Sequence, residues 1–158
     1  MPTKLNNNKV TTIKVTFQCR ENGKKAVYTL KIGNSVTAVR AVSGSKSRLT
    51  AKSDSASISY IASSEKYSDI TNTTTDSVKV MVEMGIPTGT TRLTNKSNVY
   101  KATLTKNKGE LLLTRTKDTK ETASVYVLYR SSITKIETAF LVATIDEYGA
   151  ITLNTTNK

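Results

Sequence analysis

The chain lacks the residue types on which most protein catalysis depends. Among its 158 residues there is no histidine, and Cys19 is the single cysteine. Histidine is the most frequent general base and metal ligand, and it activates the nucleophile in serine and cysteine triads. Zinc and iron sites built from nitrogen and sulfur ligands need more of these side chains than the chain contains. We therefore expect no catalytic site, no bound metal and no cofactor.

Carboxylates and glycine-containing loops suggest no clearer chemistry. Twelve acidic residues are scattered along the chain, and the nearest pair, Asp146 and Glu147, falls in a predicted turn. No phosphate-binding loop, dinucleotide fingerprint or nucleophile elbow occurs. The Gly-Ile-Pro-Thr-Gly segment at 85–89 lacks the Lys-Ser or Lys-Thr of a phosphate cradle, and we interpret it as a bend between strands. The sequence predicts a protein that is not an enzyme and that works through its surfaces.

Positive charge is the strongest functional signal. The chain has 24 basic and 12 acidic residues, a formal net charge of +12, and lysines outnumber arginines three to one. Such a charge attracts nucleic acid, an anionic membrane surface or acidic polysaccharide. Lysine holds a phosphate as a point charge, whereas arginine offers planar bidentate recognition, so the lysine excess favours sequence-tolerant contacts with a nucleic-acid backbone. The competing interpretation is a solvated surface whose charge only maintains solubility.

Basic and hydroxyl side chains recur on the polar side of successive predicted strands. Lysine and threonine both donate hydrogen bonds to phosphate oxygens, and a flat sheet can present many such donors together. The candidate nucleic-acid-binding residues are Lys14, Thr16, Arg20, Thr29, Lys31, Lys79, Lys101 and Arg115. Any solvent-facing strand also carries polar residues, and lysine discourages association between sheet edges. Alternation alone therefore does not distinguish binding from solvation.

Aromatic side chains add little to this predicted interface. Most of them fall on the apolar side of their strand and are expected in the core: Phe17, Tyr28, Tyr60, Tyr100 and Tyr129. Tyr67 and Tyr126 are the candidates for outward stacking on a base. A module that reads bases would be expected to expose more aromatic rings.

An N-terminal hairpin must position the first five candidate residues. Apolar residues at 13, 15, 17 and 19 alternate with polar residues at 14, 16, 18 and 20, the two-residue period of a strand. Asn22 and Gly23 form a dipeptide typical of a tight hairpin turn, and alternation resumes over 26–32. The pattern predicts one apolar face, where Cys19 is a small buried side chain, and one basic, hydroxyl-rich face. A single cysteine also excludes an intramolecular disulfide.

Further strand patterns continue to the C-terminus. They lie at 36–42, 48–52, 56–61, 78–84, 100–105, 111–116 and 123–129, and polar segments at 63–77 and 88–98 are predicted surface loops. Closely spaced short strands are typical of an antiparallel sandwich, barrel or open sheet. We predict one domain over 1–158, mainly β, as an antiparallel sheet or sandwich of about 8–10 short strands, with residues 1–9 a flexible N-terminal segment.

Residues 133–147 fit two structures. Ile133, Ile136 and Phe140 form a helical stripe, which allows one C-terminal helix. The alternative is a strand over 139–145, a turn at 146–149 and a final strand over 150–153. The density of threonine and valine favours the strands.

Three classes of function are compatible with these features. The favoured one is a self-assembling structural protein, a viral or phage coat subunit whose basic sheet face packs nucleic acid. A β-sandwich adhesion or carbohydrate-binding module, contacting its ligand through the loops at 63–77 and 88–98, is the second. A phage tail or decoration protein without nucleic acid is the third.

Partners and location follow from the favoured class. We expect further copies of the chain and sequence-tolerant nucleic acid, RNA in the favoured case, with RNA versus DNA left open. The N-terminal residues lack the apolar core of a signal peptide, and no apolar run approaches the roughly 18 residues of a membrane span. We therefore expect no membrane partner, synthesis in the host cytoplasm and residence in the virion.

Overall fold

The structure, a computed structural model, describes residues 11–32, 35–87 and 95–156. The described residues form ten strands and no helix, which confirms the predicted mainly β class. The strands are β1 (Thr11–Gln18), β2 (Lys25–Ile32), β3 (Ala38–Gly44), β4 (Ser55–Ser63), β5 (Ser77–Met84), β6 (Tyr100–Leu104), β7 (Glu110–Arg115), β8 (Ala123–Arg130), β9 (Glu137–Ile145) and β10 (Ile151–Leu153).

Eight of these strands form a β-sandwich. Sheet I has the order β10-β9-β8-β5, and sheet II has the order β3-β4-β7-β6. Every pairing is antiparallel. The chain passes between the sheets after β4, β5 and β7, so β5 and β6 lie beside each other at one edge of the sandwich, and β3 contacts β9 at the other.

Alternating apolar residues of both sheets fill the space between them. In β4, Ala56, Ile58 and Tyr60 are buried, whereas the serines at 55, 57 and 59 are half-buried on the opposite face. Leu111 and Leu113 of sheet II and Val125, Val127 and Val142 of sheet I are fully buried in the same cluster. Burying each such side chain contributes about 1.5–3 kcal/mol, so this core holds the sandwich together. Tyr60, Tyr100 and Tyr129 lie in it, as predicted.

The first two strands form a separate two-stranded sheet, which we call the arm (11–32). β1 pairs only with β2, and neither strand joins a sheet of the sandwich. The predicted hairpin is therefore confirmed, but its turn is wider than expected. Cys19 N–H donates to the Lys24 carbonyl (2.8 Å), and Gly23 adopts φ +68° whereas Asn22 has no positive φ. Residues 19–24 thus form the connection, in place of a two-residue Asn-Gly turn.

The arm lacks the burial that its alternation predicted. Phe17 is 58% exposed, Tyr28 is 59% exposed and Cys19 is exposed. The expectation that these three side chains lie in the core is wrong, because the hairpin stands apart from the sandwich. A strand's alternation shows that two faces differ in polarity, but it does not show what covers the apolar one.

Several other predicted segments can be compared with the structure. The segment 48–52 forms no strand, only a bridge from Arg48 to Ala150. The chain instead turns at Ser53 (φ +75°), where the Asp54 carboxylate accepts hydrogen bonds from the backbone N–H groups of Thr50 and Ala51.

The C-terminal region forms a strand, a turn and a second strand, which is the alternative that the sequence favoured, and β9 has a bulge at Val142. Residues 64–76 form the predicted loop; of the loop predicted at 88–98, 88–94 lie outside the described residues.

No helix among the described residues is long and apolar enough to cross a lipid bilayer.

Candidate nucleic-acid interface

One face of the arm carries exposed lysine and threonine side chains. Lys14 lies opposite Thr29, and Thr16 lies opposite Val27, with all four exposed. Lys25, opposite Gln18, extends the same face toward the turn and is also exposed. We call the set Lys14, Thr16, Lys25 and Thr29 the basic face. Lys25 was not predicted, although the alternation at 27, 29 and 31 continues to it by one step.

The basic face presents hydrogen-bond donors on both strands of the arm. Side chains on one face of a strand recur every two residues, about 6.8 Å apart. Lys14 and Thr16 are one such step apart on β1, whereas Lys25 and Thr29 are two steps apart on β2 with the exposed Val27 between them. The exposed lysine charges and threonine hydroxyls can all donate to phosphate oxygens. The arrangement can therefore hold a polyanion without reading its sequence.

Two further candidates of the arm occupy other places. Arg20 is exposed in the connection between the strands, beside Glu21, and does not belong to the strand face. Lys31 lies opposite Thr12 in the register, but its side chain lies outside the described residues. The structure thus brings together Lys14, Thr16 and Thr29 of the predicted set.

Lys79 and Lys101 belong to the sandwich and not to the arm. Lys79 of β5 points away from the core, and its Nζ atom forms an ion pair with Oε2 of Glu137 at 3.1 Å. Lys101 of β6 is exposed on the outer face of sheet II, opposite Thr114. The two lysines lie on opposite outer faces of the sandwich, so they do not form one continuous interface with each other.

Arg115 is a structural residue, and its predicted place on the binding surface is wrong. It is 5% exposed, because residues 111, 113 and 115 alternate onto the core side of β7. Its guanidinium donates to the carbonyl oxygens of Leu49 (2.8 Å), Lys117 (2.9 Å), Asp118 (3.1 Å) and Thr119 (3.3 Å). It also lies 5.9 Å from the centre of the Tyr100 ring. These contacts leave no guanidinium face for a phosphate.

Neither of the two tyrosines predicted to stack on bases is fully exposed. Tyr126 is 4% exposed, between Met81 and Leu141 in the register of sheet I. Tyr67 is partly buried and packs against the core. The prediction of outward stacking is therefore wrong for Tyr126, whereas for the half-buried Tyr67 it stays a prediction. For Tyr126, the local sequence did not show that the outer side of β8 is covered.

The remaining chemical features have structural roles. Asp146 Oδ1 accepts hydrogen bonds from the backbone N–H groups of Tyr148 and Ala150, both at 2.9 Å, as expected of a turn residue. Gly85 adopts φ +90° at the end of β5, consistent with the predicted bend. Within 11–32, 35–87 and 95–156, no cluster of three or more acidic or cysteine side chains is placed to hold a metal ion.

A small polar cleft lies between the loops at 71–76 and 104–109. Its volume is about 190 Å³, and its lining includes Tyr60, Tyr129, Asp76 and Lys108. Burial raises the pKa of both tyrosines, whose hydroxyl groups hydrogen-bond to each other. The Asp76 carboxylate accepts hydrogen bonds from the backbone N–H groups of Val36 (2.9 Å) and Ser132 (3.0 Å), which ties three segments together. Small-molecule sites typically enclose about 300–1,000 Å³, so this cleft is smaller than such a site.

No protein-family model, no curated protein and no solved structure matches this chain. What its surfaces do must be inferred from their own geometry and charge. The arm, with its exposed basic face and its uncovered apolar face, is the feature that most needs a functional explanation.

Proposed function

We propose that this chain is a self-assembling structural subunit, a viral or phage coat protein, that packs nucleic acid against the basic face of its arm. The observation that carries the proposal is the two-faced arm itself. One face presents Lys14, Thr16, Lys25 and Thr29 to solvent, and the other presents Phe17 and Tyr28. Each face suits a different partner, a polyanion on one side and a protein surface on the other.

Charge supports the first half of the proposal. Residues 11–32 contain five basic residues and one acidic residue, a net charge of +4. Apart from the ion pair between Lys79 and Glu137, no salt bridge is formed among the residues that the structure describes. The lysines of the basic face therefore keep their charge for an external partner. Neutralising phosphates with such side chains releases counterions, which gives affinity without sequence preference.

Exposed apolar surface supports the second half. A two-stranded sheet is marginally stable in water unless it packs against another element. Large exposed apolar patches on a soluble protein mark interaction sites. Self-assembly would cover the apolar face while leaving the basic face open. In this proposal the nucleic acid is RNA, the chain is made in the host cytoplasm, and the assembled product is the virion.

The cleft at Tyr60 and Tyr129 gives less support to a carbohydrate-binding function. Both rings are 4% exposed, so neither offers a face on which a sugar could stack. The arm also has no part in such a function. A tail or decoration protein would use the apolar face alone and would leave the basic face without a partner.

Purified protein tests the proposal directly. The chain is expressed alone and examined by size exclusion and negative-stain electron microscopy, and absorbance is read at the nucleic-acid and protein maxima of each peak. We expect assemblies that carry nucleic acid. A clean monomer without nucleic acid would overturn the proposal, and assemblies free of nucleic acid would overturn its nucleic-acid half and favour the tail or decoration class.

A further inference from the structure

We infer that β6 pairs with β6 of a second copy of this chain about a twofold axis, so that sheet II continues from one copy into the other. The inference rests on the self-assembly half of the proposed function and involves neither the arm nor nucleic acid. It specifies which strand meets its own copy, in which register, and how many copies form the first stable unit.

The outer edge of β6 carries backbone groups that no other strand of the sandwich pairs. Among the strands of the described residues, only β7 is a neighbour of β6 in a sheet. Just outside the two ends of β6, Thr105 N–H donates to the Glu110 carbonyl (3.3 Å) and Thr116 N–H donates to the Val99 carbonyl (2.6 Å). Odd-numbered residues therefore bond to β7, and even-numbered residues of β6 direct their N–H and carbonyl groups outward. Such an edge is a template for another strand.

The neighbouring edge strand β5 is covered along only half of its length. Segment 95–97 pairs with the end of β5 at 82–84. The start of β5, at Val78 and Val80, has no strand on that side in the part of the chain that the structure describes. This open start lies beside the end of β6, since Val78 and Leu104 line the same cleft. A twofold axis across β6 therefore brings the covered half of β5 in one copy beside the open half in the other.

The opposite edge of the sandwich is closed by backbone hydrogen bonds between the sheets. Ala41 N–H of β3 donates to the carbonyl of Asn154, which follows β10, at 2.8 Å. Ile151 N–H of β10 donates to the Ser47 carbonyl, also at 2.8 Å. In contrast, β5 and β6 are not paired with each other within 11–32, 35–87 and 95–156. The edge at β6 is therefore the one that can accept a further strand.

One antiparallel register suits the side chains of β6. When Ala102 lies opposite Ala102 of the second copy, Lys101 lies opposite Thr103 and Leu104 lies opposite Tyr100. No like charges then face each other, and a small side chain lies on the axis. A shift by two residues would set Lys101 against Lys101 of the second copy, which is repulsive. The lysine that discourages other edge pairings therefore selects this register.

The same register brings together the backbone groups that point outward. Ala102 N–H donates to the Ala102 carbonyl of the second copy, and Leu104 N–H donates to the Tyr100 carbonyl of the second copy, with both bonds repeated by the twofold axis. Tyr100 N–H needs no partner there, because it donates to Ser97 Oγ at 3.0 Å within the chain. The pairing thus satisfies the outward N–H groups of β6.

The exposed side chain of Leu104 meets open space in the second copy. Leu104 is 39% exposed at the end of β6. A cleft of about 360 Å³ opens between the two edge strands at the start of β6, and its walls include Tyr100, Ala102, Val80 and Val82. Because Leu104 lies opposite Tyr100 of the second copy, its side chain comes to the mouth of that cleft. Removal of this apolar surface from water favours the pairing.

A matched pair of leucine substitutions tests the contact. Leu104→Lys places a charge at the mouth of the cleft, and Leu112→Lys places the same charge on the outer face of sheet II, where Leu112 is 37% exposed. Because the two sites are similarly exposed, both variants should fold, which thermal unfolding checks. Sedimentation velocity of nuclease-treated protein over a concentration series measures dimerisation. We expect a wild-type dimer that Leu104→Lys weakens at least about tenfold and that Leu112→Lys leaves unchanged.

Substitutions at Thr103 test the register. In the inferred dimer Thr103→Glu lies opposite Lys101 of the second copy on both sides of the axis, and opposite charges on neighbouring strands attract. We expect Thr103→Glu to tighten dimerisation about threefold or more and Thr103→Lys to weaken it by a similar factor. Ser43→Glu adds the same negative charge at an exposed position of β3, at the opposite edge of sheet II, and should change dimerisation little.

The outcomes separate this inference from the proposed function. A wild-type chain that stays monomeric at every concentration would overturn both the pairing and the self-assembly half of the proposed function. An associated species with equal effects of Leu104→Lys and Leu112→Lys, or of Thr103→Glu and Ser43→Glu, would overturn the pairing alone. A dimer that responds to the variants as expected but never binds RNA would support the pairing and contradict the nucleic-acid half of the proposed function.

Discussion

The Nη1 atom of Arg115 donates a hydrogen bond of 2.8 Å to the backbone carbonyl oxygen of Leu49. Leu49 is fully buried, and its N–H group donates to the Gly149 carbonyl at 2.9 Å. The end of β7 is therefore linked through Leu49 to the turn between β9 and β10. One buried cation, which the sequence predicted at the nucleic-acid interface, connects the two sheets at this end of the sandwich.

Replacing Arg115 should cost stability without changing the binding surface. Lysine in Arg115→Lys cannot reach the four carbonyl oxygens that the planar guanidinium contacts, and buried acceptors left without donors are unfavourable. We expect a loss of about 3 kcal/mol in the free energy of unfolding, measured by urea denaturation. Lys101→Met on the exposed side of β6 is the control and should shift the value by about 0.5 kcal/mol or less. Unchanged stability with weakened polyanion binding would contradict this role.

Two glycines in left-handed conformations, one in the sandwich and one in the arm, differ in the space that an added Cβ atom would have. At Gly149 (φ +81°) a Cβ atom would overlap the Leu49 carbonyl oxygen, whereas at Gly23 (φ +68°) it would meet no atom within 4 Å. We expect Gly149→Ala to destabilise the sandwich by about 3 kcal/mol or more through backbone clash. Gly23→Ala should cost the arm about 1 kcal/mol of backbone strain. Thermal unfolding should show a large shift for the first and almost none for the second; similar shifts would be inconsistent with a separate arm.

The sequence predicted the strands better than it predicted their environment. Alternation over 13–20 and 26–32 located both strands of the arm, and the period over 139–145 identified β9. Alternation is a local property of the backbone, so it can be read from a short window. What lies against a strand depends on distant parts of the chain. For this reason alternation predicts Phe17 and Tyr28 in a core, whereas in the structure both are more than half exposed on a separate sheet.

Arg115 also shows that a local sequence pattern does not predict what surrounds a side chain. The sequence interpretation put it on the polar side of its strand because of its charge, whereas in the structure it alternates with Leu111 and Leu113 onto the core side of β7. The carbonyl oxygens that satisfy it come from residues 49 and 117–119, and no local pattern shows that these segments converge. Charge by itself therefore predicted a surface position for a residue that the structure buries.

Removal of charge from the basic face should weaken binding more than removal of charge elsewhere. Lys14→Gln/Lys25→Gln and the control Lys46→Gln/Lys101→Gln each remove two exposed lysines and leave the same net charge. If the basic face contacts phosphates, the first pair lowers the slope of log affinity against log salt by about 1.4 for single-stranded RNA. Fluorescence anisotropy with a labelled oligonucleotide measures both slopes. Equal losses in the two variants would indicate attraction to the whole chain and not to the arm.

The buried tyrosine pair should make the fold sensitive to alkaline pH. Burial raises the pKa of Tyr60 and of Tyr129, so the folded state favours neutral phenols. This stabilisation is complete below the unfolded value of about 10 and is lost as pH rises above it. Tyr60→Phe/Tyr129→Phe removes both hydroxyls together and should flatten the decline in unfolding free energy above about pH 10. An equal decline in the variant would assign the alkaline loss to other groups.

Sedimentation velocity of the purified chain with and without single-stranded RNA tests the central claim most directly. The account predicts that the chain alone sediments as an associated species and that RNA shifts it to larger complexes absorbing at the nucleic-acid maximum. A species that sediments as a single chain in both samples, with RNA migrating separately, would contradict it.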